Sequence, residues 1–139
     1  MKSYFIDTNI LMYAHGKPNK YKNACLEIMH LISIDKIFGI INAEVLQEIF
    51  YKYFSIGQTK IGIEMARNAL DIIHMVWPIE KDDLEITLQL FKEYNFLNPR
   101  DSIHIASMIK NNVKEMISAD RHFDKIEKVS RIDPLDFQY

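Results

Sequence analysis

The sequence predicts an α/β fold, a three-layer sandwich in which a short, mainly parallel central sheet lies between helices. Three observations predict it. Short apolar runs alternate along the chain with longer stretches of helical spacing, the pattern of strand–helix–strand units. The strand runs are apolar without interruption, as strands buried on both faces are. No two of them are joined by a two-residue hairpin turn, so antiparallel neighbours find no support.

The elements follow in order. Ser3-Tyr4-Phe5-Ile6 is aromatic and branched, and reads as a buried strand. It ends in Asp7-Thr8-Asn9, residues that cap helices, and Ile10-Leu11-Met12-Tyr13 begins a helix. Pro18 suits the first turn of a second helix, with Ala24, Ile28, Leu31 and Ile32 on one face. Lys36 to Ile41 reads as a second strand. Asn42 then caps a helix carrying Val45, Leu46, Ile49, Phe50 and Tyr53 at helical spacing. Thr59 opens another helix, its apolar face drawn through Ile63, Ala66, Leu70 and Ile73. Met75-Val76-Trp77 is a short strand stopped by Pro78. Lys81 to Tyr94 repeats helical spacing through Leu84, Thr87, Leu88 and Phe91. Pro99 or Arg100 starts the next helix, which runs through Ile105, Ala106 and Ile109 to about Asn111. Glu115 to Ser118 is a fourth strand, followed by a helical turn with Phe123, and Val129 to Ile132 is a last edge strand.

The chain has 139 residues, the size of one domain, and residues 1–139 are assigned to a single one. Apolar residues make up 48%, too many for a disordered chain. With 17 basic and 19 acidic residues the net charge is −2, less basic than proteins that hold nucleic acid by bare electrostatics. A nucleic-acid substrate would therefore require something to offset local negative charge, and divalent metal is the obvious candidate. Cys25 is the only cysteine, so no internal disulfide forms, which fits a reducing compartment. The uncharged stretches fall short of the ~20 apolar residues a membrane span needs. The expectation is a cytoplasmic protein with no membrane partner.

Ligand sites in open α/β sheets lie beyond the carboxyl ends of the strands. Asp7 stands at the end of the first strand and Asp120 just past the fourth. Asp101 lies in the first turn of a helix, and Glu48 lies within the helix after strand two. Each has a plain structural reading. Asp7 suits a helix cap, Asp101 a favourable charge at a helix N-terminus, and Asp120 a turn residue. Glu48 neighbours an apolar stripe and would need a partner if buried. Together they form an oxygen donor set with no histidine or cysteine pattern, which suits Mg²⁺ or Mn²⁺ and not zinc. Such carboxylates are expected to converge on a space that admits divalent ions ~3.5–4 Å apart.

Other candidates carry less. Glu44 shares a helix face with Glu48 but sits in the cap region. His104 is read either as orienting substrate or a site acid, or as a satisfied core histidine. Asp124 is read as an outer acid or a solvated one. His15, His30, His74 and His122 lack metal spacing, and Ser3, Ser33 and Ser102 lie in no nucleophile-elbow context. Phe50, Tyr51, Tyr53 and Phe54 form an aromatic cluster that helical spacing assigns to core or a subunit contact. No glycine loop cradles phosphate.

These motifs resemble a known family. Phe5-Ile6-Asp7-Thr8-Asn9-Ile10-Leu11 resembles the opening motif of PIN-domain nucleases. Glu48, in Glu44-Val45-Leu46-Gln47-Glu48-Ile49, matches the second acid. Arg100-Asp101-Ser102-Ile103-His104-Ile105-Ala106 and Ser118-Ala119-Asp120-Arg121-His122-Phe123-Asp124 resemble the motifs that bear the third and fourth. The order and spacing agree over nearly the whole chain. One departure is His122, where many relatives carry a second acid. The resemblance implies a parallel sheet with flanking helices and a Mg²⁺- or Mn²⁺-dependent ribonuclease. Its compact form is most similar to the toxin half of a VapBC toxin–antitoxin pair, which implies a homodimer silenced by an antitoxin.

The mechanism then expected is metal-assisted attack of water on an RNA phosphodiester, with Asp7, Asp101, Asp120 and Glu48 holding the metal. Thr8 and Asn9 are expected to steady the site by hydrogen bonds. Lys17, Lys20, Lys22, Arg100 and Arg121 are candidate guides for the backbone. Two readings compete: a nuclease of RNA processing or decay without an antitoxin, and a catalytically degenerate RNA- or protein-binding module. Phosphoryl chemistry on a small substrate finds no phosphate loop to support it.

Overall fold

The computed structural model describes all 139 residues. Five strands form one parallel sheet: β1 (Ser3–Ile6), β2 (Phe38–Asn42), β3 (Met75–Trp77), β4 (Glu115–Ile117) and β5 (Ser130–Ile132). Their order across the sheet is β3-β2-β1-β4-β5, and every neighbouring pair is parallel. Side chains alternate between faces along a strand. Tyr4, Phe5 and Ile6 are nevertheless all buried, so both faces of the central strand are covered. Six helices do the covering: α1 (Thr8–His15), α2 (Lys22–Ser33), α3 (Ala43–Ser55), α4 (Thr59–Ile72), α5 (Lys81–Glu93) and α6 (Pro99–Lys110). Helices α1 to α4 pack among themselves, α5 packs on α6, and α6 touches α3. No helix is long and apolar enough to cross a membrane.

The chain builds outward from β1 to β2 and β3, then returns to place β4 on the other side of β1. The point of reversal therefore lies between β1 and β4, and sheets of this kind bind ligands beyond the strand ends at such a point. The caps that start the helices are local. Asp7 accepts from the Thr8 N–H, Asn42 from the Val45 N–H, and Asn98 from the Asp101 N–H. Gly57, at φ +71°, turns the chain from α3 into α4.

Three expectations are corrected. Helix α2 begins at Lys22, and Pro18 lies in the bend before it. Asn19 holds that bend: its carbonyl accepts from the Tyr21 N–H and its amide donates to the Tyr13 and Lys17 carbonyls. The inner face of α4 runs through Gly62, Met65, Ala66 and Ala69, leaving Ile63 and Leu70 exposed. The inner face of α5 is Asp83, Thr87 and Leu90, with Leu84, Leu88 and Phe91 outside. Asp83 can be buried because its carboxylate accepts from the Glu80 N–H and from Lys110 Nζ, a tie between α5 and α6. The aromatic cluster of α3 divides, with Tyr53 buried and Phe50, Tyr51 and Phe54 exposed.

Candidate active site

The acids gather around the reversal point, near enough for Asp101 to feel the charges of Asp7, Asp120 and Glu48. The backbone N–H of Asp7 donates to the Ile117 carbonyl at 3.1 Å, which ties the end of β1 to the end of β4. Asp7 is buried, and its carboxylate is held by three donors. Oδ1 accepts from the Thr8 N–H at 2.8 Å; Oδ2 accepts from the Ser118 hydroxyl at 2.6 Å and the Asn9 amide at 3.1 Å. Asn9 also accepts from the Ala119 N–H, and Ser118 Oγ accepts from the Asp120 N–H. The loop carrying Asp120 is thus bonded back onto the residues around Asp7. The Thr8 hydroxyl is buried without a partner, so Thr8 meets Asp7 through its backbone.

Asp120 projects from that loop as the cap of a short 3-10 turn, Arg121–Lys125. Its Oδ1 accepts from the His122 N–H and lies 2.8 Å from His122 Nδ1. Arg131, on β5, clamps the same loop from behind. It donates to the Ser118 carbonyl at 2.8 Å and forks onto Asp124 at 2.7 and 3.0 Å. Asp124 is therefore committed to a bidentate ion pair, which holds its carboxyl below the usual range, and it does not face the cluster.

Glu48 and Asp101 come from helices. Glu48 Oε1 lies 2.7 Å from His104 Nε2, and that nitrogen is 4.0 Å from Asp7 Oδ1. His104 is fully buried on α6 beside Phe5, at 5.3 Å between ring centroids, and its Nδ1 has no partner. Arg100, next to Asp101, lies over the Tyr51 ring at 5.5 Å.

The electrostatics tie the four acids together. Burial pushes the Asp7 carboxyl upward, against the lowering effects of His104, Ser118 and Thr8, and Glu48 raises it further. Asp101 is pushed up to about 7, first by burial and then by the charges of Asp7, Asp120 and Glu48, with His104 opposing. Burial lowers His104, but the hydrogen bond to Glu48 and the charges of Asp7, Glu48 and Asp101 outweigh it and raise the ring. Glu44 is half-buried on the rim and raised by burial and by Glu48. The acids thus resist ionising together, and His104 is the charge that opposes that shift.

As the side chains stand, no group of three or more acid, histidine or cysteine residues is close enough together to hold a metal ion. Glu48 rests on His104 Nε2, which also faces Asp7, while Asp120 turns to His122. The donor chemistry nonetheless fits a hard divalent ion: carboxylate oxygens from four segments, with the free thiol of Cys25 buried in the core. Ser118 and Arg131 were not picked out in the sequence. A serine at a strand end and an arginine on an edge strand carry no pattern that separates them from others.

A PIN domain family model matches residues 4–129 of the chain. The VapC ribonuclease Mb1869c of Mycobacterium bovis and ribonuclease VapC13 of Mycobacterium tuberculosis are each 32% identical to it over 131 residues. The match takes in 91% of this chain and 97% of theirs. Among solved structures, VapBC2 of Rickettsia felis, bound to a promoter DNA fragment, superposes with a TM-score of 0.74 at 16% identity, over 94% of this chain and 98% of that one. VapC20 of Mycobacterium tuberculosis, described as a sarcin–ricin-loop-cleaving toxin, gives 0.75 at 13% identity, over 89% and 95%. At these identities the structures speak to the fold.

Proposed function

This chain belongs to the PIN-domain family, and on that premise we propose that it is an endoribonuclease, the toxin of a type II toxin–antitoxin pair, that cuts RNA with the help of Mg²⁺ or Mn²⁺ in the cytoplasm. The observation that carries the reading is the cluster at the β1–β4 reversal, where the charges of Asp7, Asp120 and Glu48 all bear on Asp101 and that of Glu48 bears on Asp7. Likeness to ribonucleases over nearly their whole length supports the activity. Likeness to toxin–antitoxin complexes supports the partner.

Asp7 and Asp101 would hold the metal directly, Asp120 beside them, with Glu48 completing the shell or orienting the attacking water. A divalent ion bound there supplies Lewis acidity and a water acidic enough to attack at neutral pH. Ser118, Asn9 and the Thr8 N–H keep Asp7 oriented for that ligation. Arg100, supported on Tyr51 beside Asp101, offers a cation to the approaching phosphodiester. The antitoxin, and a second copy in a homodimer, would cover exposed apolar surface.

The test is cleavage of RNA with Mg²⁺ or Mn²⁺ added, and again with chelator or with Asp7→Asn. Activity is expected in the first case and a loss of a hundredfold or more in the other two. Cleavage that survives both controls rules the mechanism out. Co-purification with the product of an adjacent small gene checks the toxin–antitoxin assignment.

A further inference from the structure

We propose that His104 is a positioning residue: its Nε2–H holds the Glu48 carboxylate beside Asp7, so that the acid carried by α3 stands with the strand-end acids before any cation arrives. The inference rests on the metal-site reading above and adds a residue to it.

Glu48 has reason to leave. Its side chain is long and freely rotating, and fixing it costs rotamer freedom. The neighbouring charges of Asp7 and Asp101 repel it, and solvent lies within reach of a side chain that is 15% exposed. Against this stands one short bond, 2.7 Å from Oε1 to His104 Nε2. The ring that makes the bond cannot follow Glu48 outward. It is fully buried, set on α6 between Ile103 and Ile105, and packed against Phe5 of the central strand. A fixed donor therefore fixes the carboxylate.

The other ring nitrogen strengthens the case. A buried histidine that serves only packing is expected to have both nitrogens satisfied. Here Nδ1 is buried with no partner. Facing two carboxylates at 2.7 and 4.0 Å, Nε2 carries a proton whether the ring is neutral or charged. The residue keeps a buried polar atom unsatisfied while its one bond reaches into the acid cluster. Full burial also keeps His104 from touching substrate, so it acts through Glu48 and is not a catalytic residue.

The geometry supplies its own controls. The amide nitrogen of glutamine can take the place of Nε2, whereas that of asparagine takes the place of Nδ1 and falls short of Glu48. Chelator-stripped protein is titrated with Mn²⁺ by calorimetry or electron paramagnetic resonance, alongside kcat and KM on an RNA oligonucleotide. Loss of an outer hydrogen-bond partner of this kind typically costs 10–100-fold in metal affinity. That loss is expected for His104→Leu and His104→Asn, with most of it recovered in His104→Gln. In a Glu48→Ala background His104→Leu should cost nothing more. An unchanged Mn²⁺ affinity in folded His104→Leu, or a full additional loss in the Glu48→Ala background, overturns the proposal. If leucine does not fold, equal affinities in the glutamine and asparagine variants overturn it instead. A wild-type protein that binds neither Mn²⁺ nor Mg²⁺ brings down the metal-site reading itself, and this proposal with it.

Discussion

At the scale of single residues, Asp101 ionises only at a cost, because it is partly buried among three other acids. An acid whose folded pKa lies above its unfolded value binds its proton more tightly when folded, so stability falls as pH rises between the two values. For Asp101 that window runs from 3.8 to about 7. Asp7 is shifted the same way, and a raised His104 also contributes stability that is lost as pH rises through its folded value. Chelator-treated protein should therefore show a lower urea midpoint at pH 8 than at pH 5. Asp101→Asn should flatten that slope, and a midpoint that does not move with pH counts against the coupling. Ser118→Ala removes the shortest bond to buried Asp7 and should cost about 1–3 kcal/mol in urea unfolding, while raising Asp7 further. The four acids stood out in the sequence because three of them lie at strand or helix ends, where local pattern already places them. The near partners Thr8 and Asn9 were legible beside Asp7, and His104 was a candidate to orient an acid. Which distant residue meets which acid was not legible: Ser118 meets Asp7 across 111 positions and His104 meets Glu48 across 56, distances over which sequence spacing carries no information.

At the scale of elements, strands and helices were legible wherever an apolar period coincided with a cap. Asn42 marks α3 in this way, and Pro99 marks the start of α6. The faces of α4 and α5 were not, because hydrophobicity alone does not say which side is inside. On α5 the inner side carries Asp83 and Thr87, made tolerable by the Lys110 contact and by the Thr87 hydroxyl donating to the Asp83 carbonyl. On α4 the inner side is small, since Gly62 lets that helix come close to α3. A Cβ at Gly62 would lie 2.9 Å from the Tyr53 Cβ, an atom fixed to its own backbone. Gly62→Ala should force the two helices apart and cost about 1–3 kcal/mol, read as a lower thermal midpoint. An unchanged or raised midpoint would show that α3 and α4 adjust freely.

At the scale of the whole molecule, strand order was beyond the reach of sequence. Parallel neighbours are joined by long crossovers, and nothing local says that β4 returns to the flank of β1. That return is what brings Asp7 and Asp120 together. The same architecture leaves Phe50, Tyr51, Phe54 and Ile63 exposed along a groove between α3 and α4. Apolar surface of this extent is characteristic of a binding face. On the toxin–antitoxin reading proposed above, Phe54→Glu with Ile63→Glu should leave the fold and RNA cleavage intact while weakening antitoxin capture at least tenfold, measured by calorimetry. Undiminished capture would move the partner to another face.

The last strand gives the fold an unusual dependence. The family match ends at residue 129, and every acid of the cluster lies before it, yet Arg131 is the residue that grips the Ser118 carbonyl. The final ten residues thus act as a splint for a loop whose chemistry lies wholly upstream. A chain shortened after Val129 would keep its complete set of acids and lose the brace that holds two of them in register. Its damage would read as a fault of alignment, with ligands present and poorly aimed.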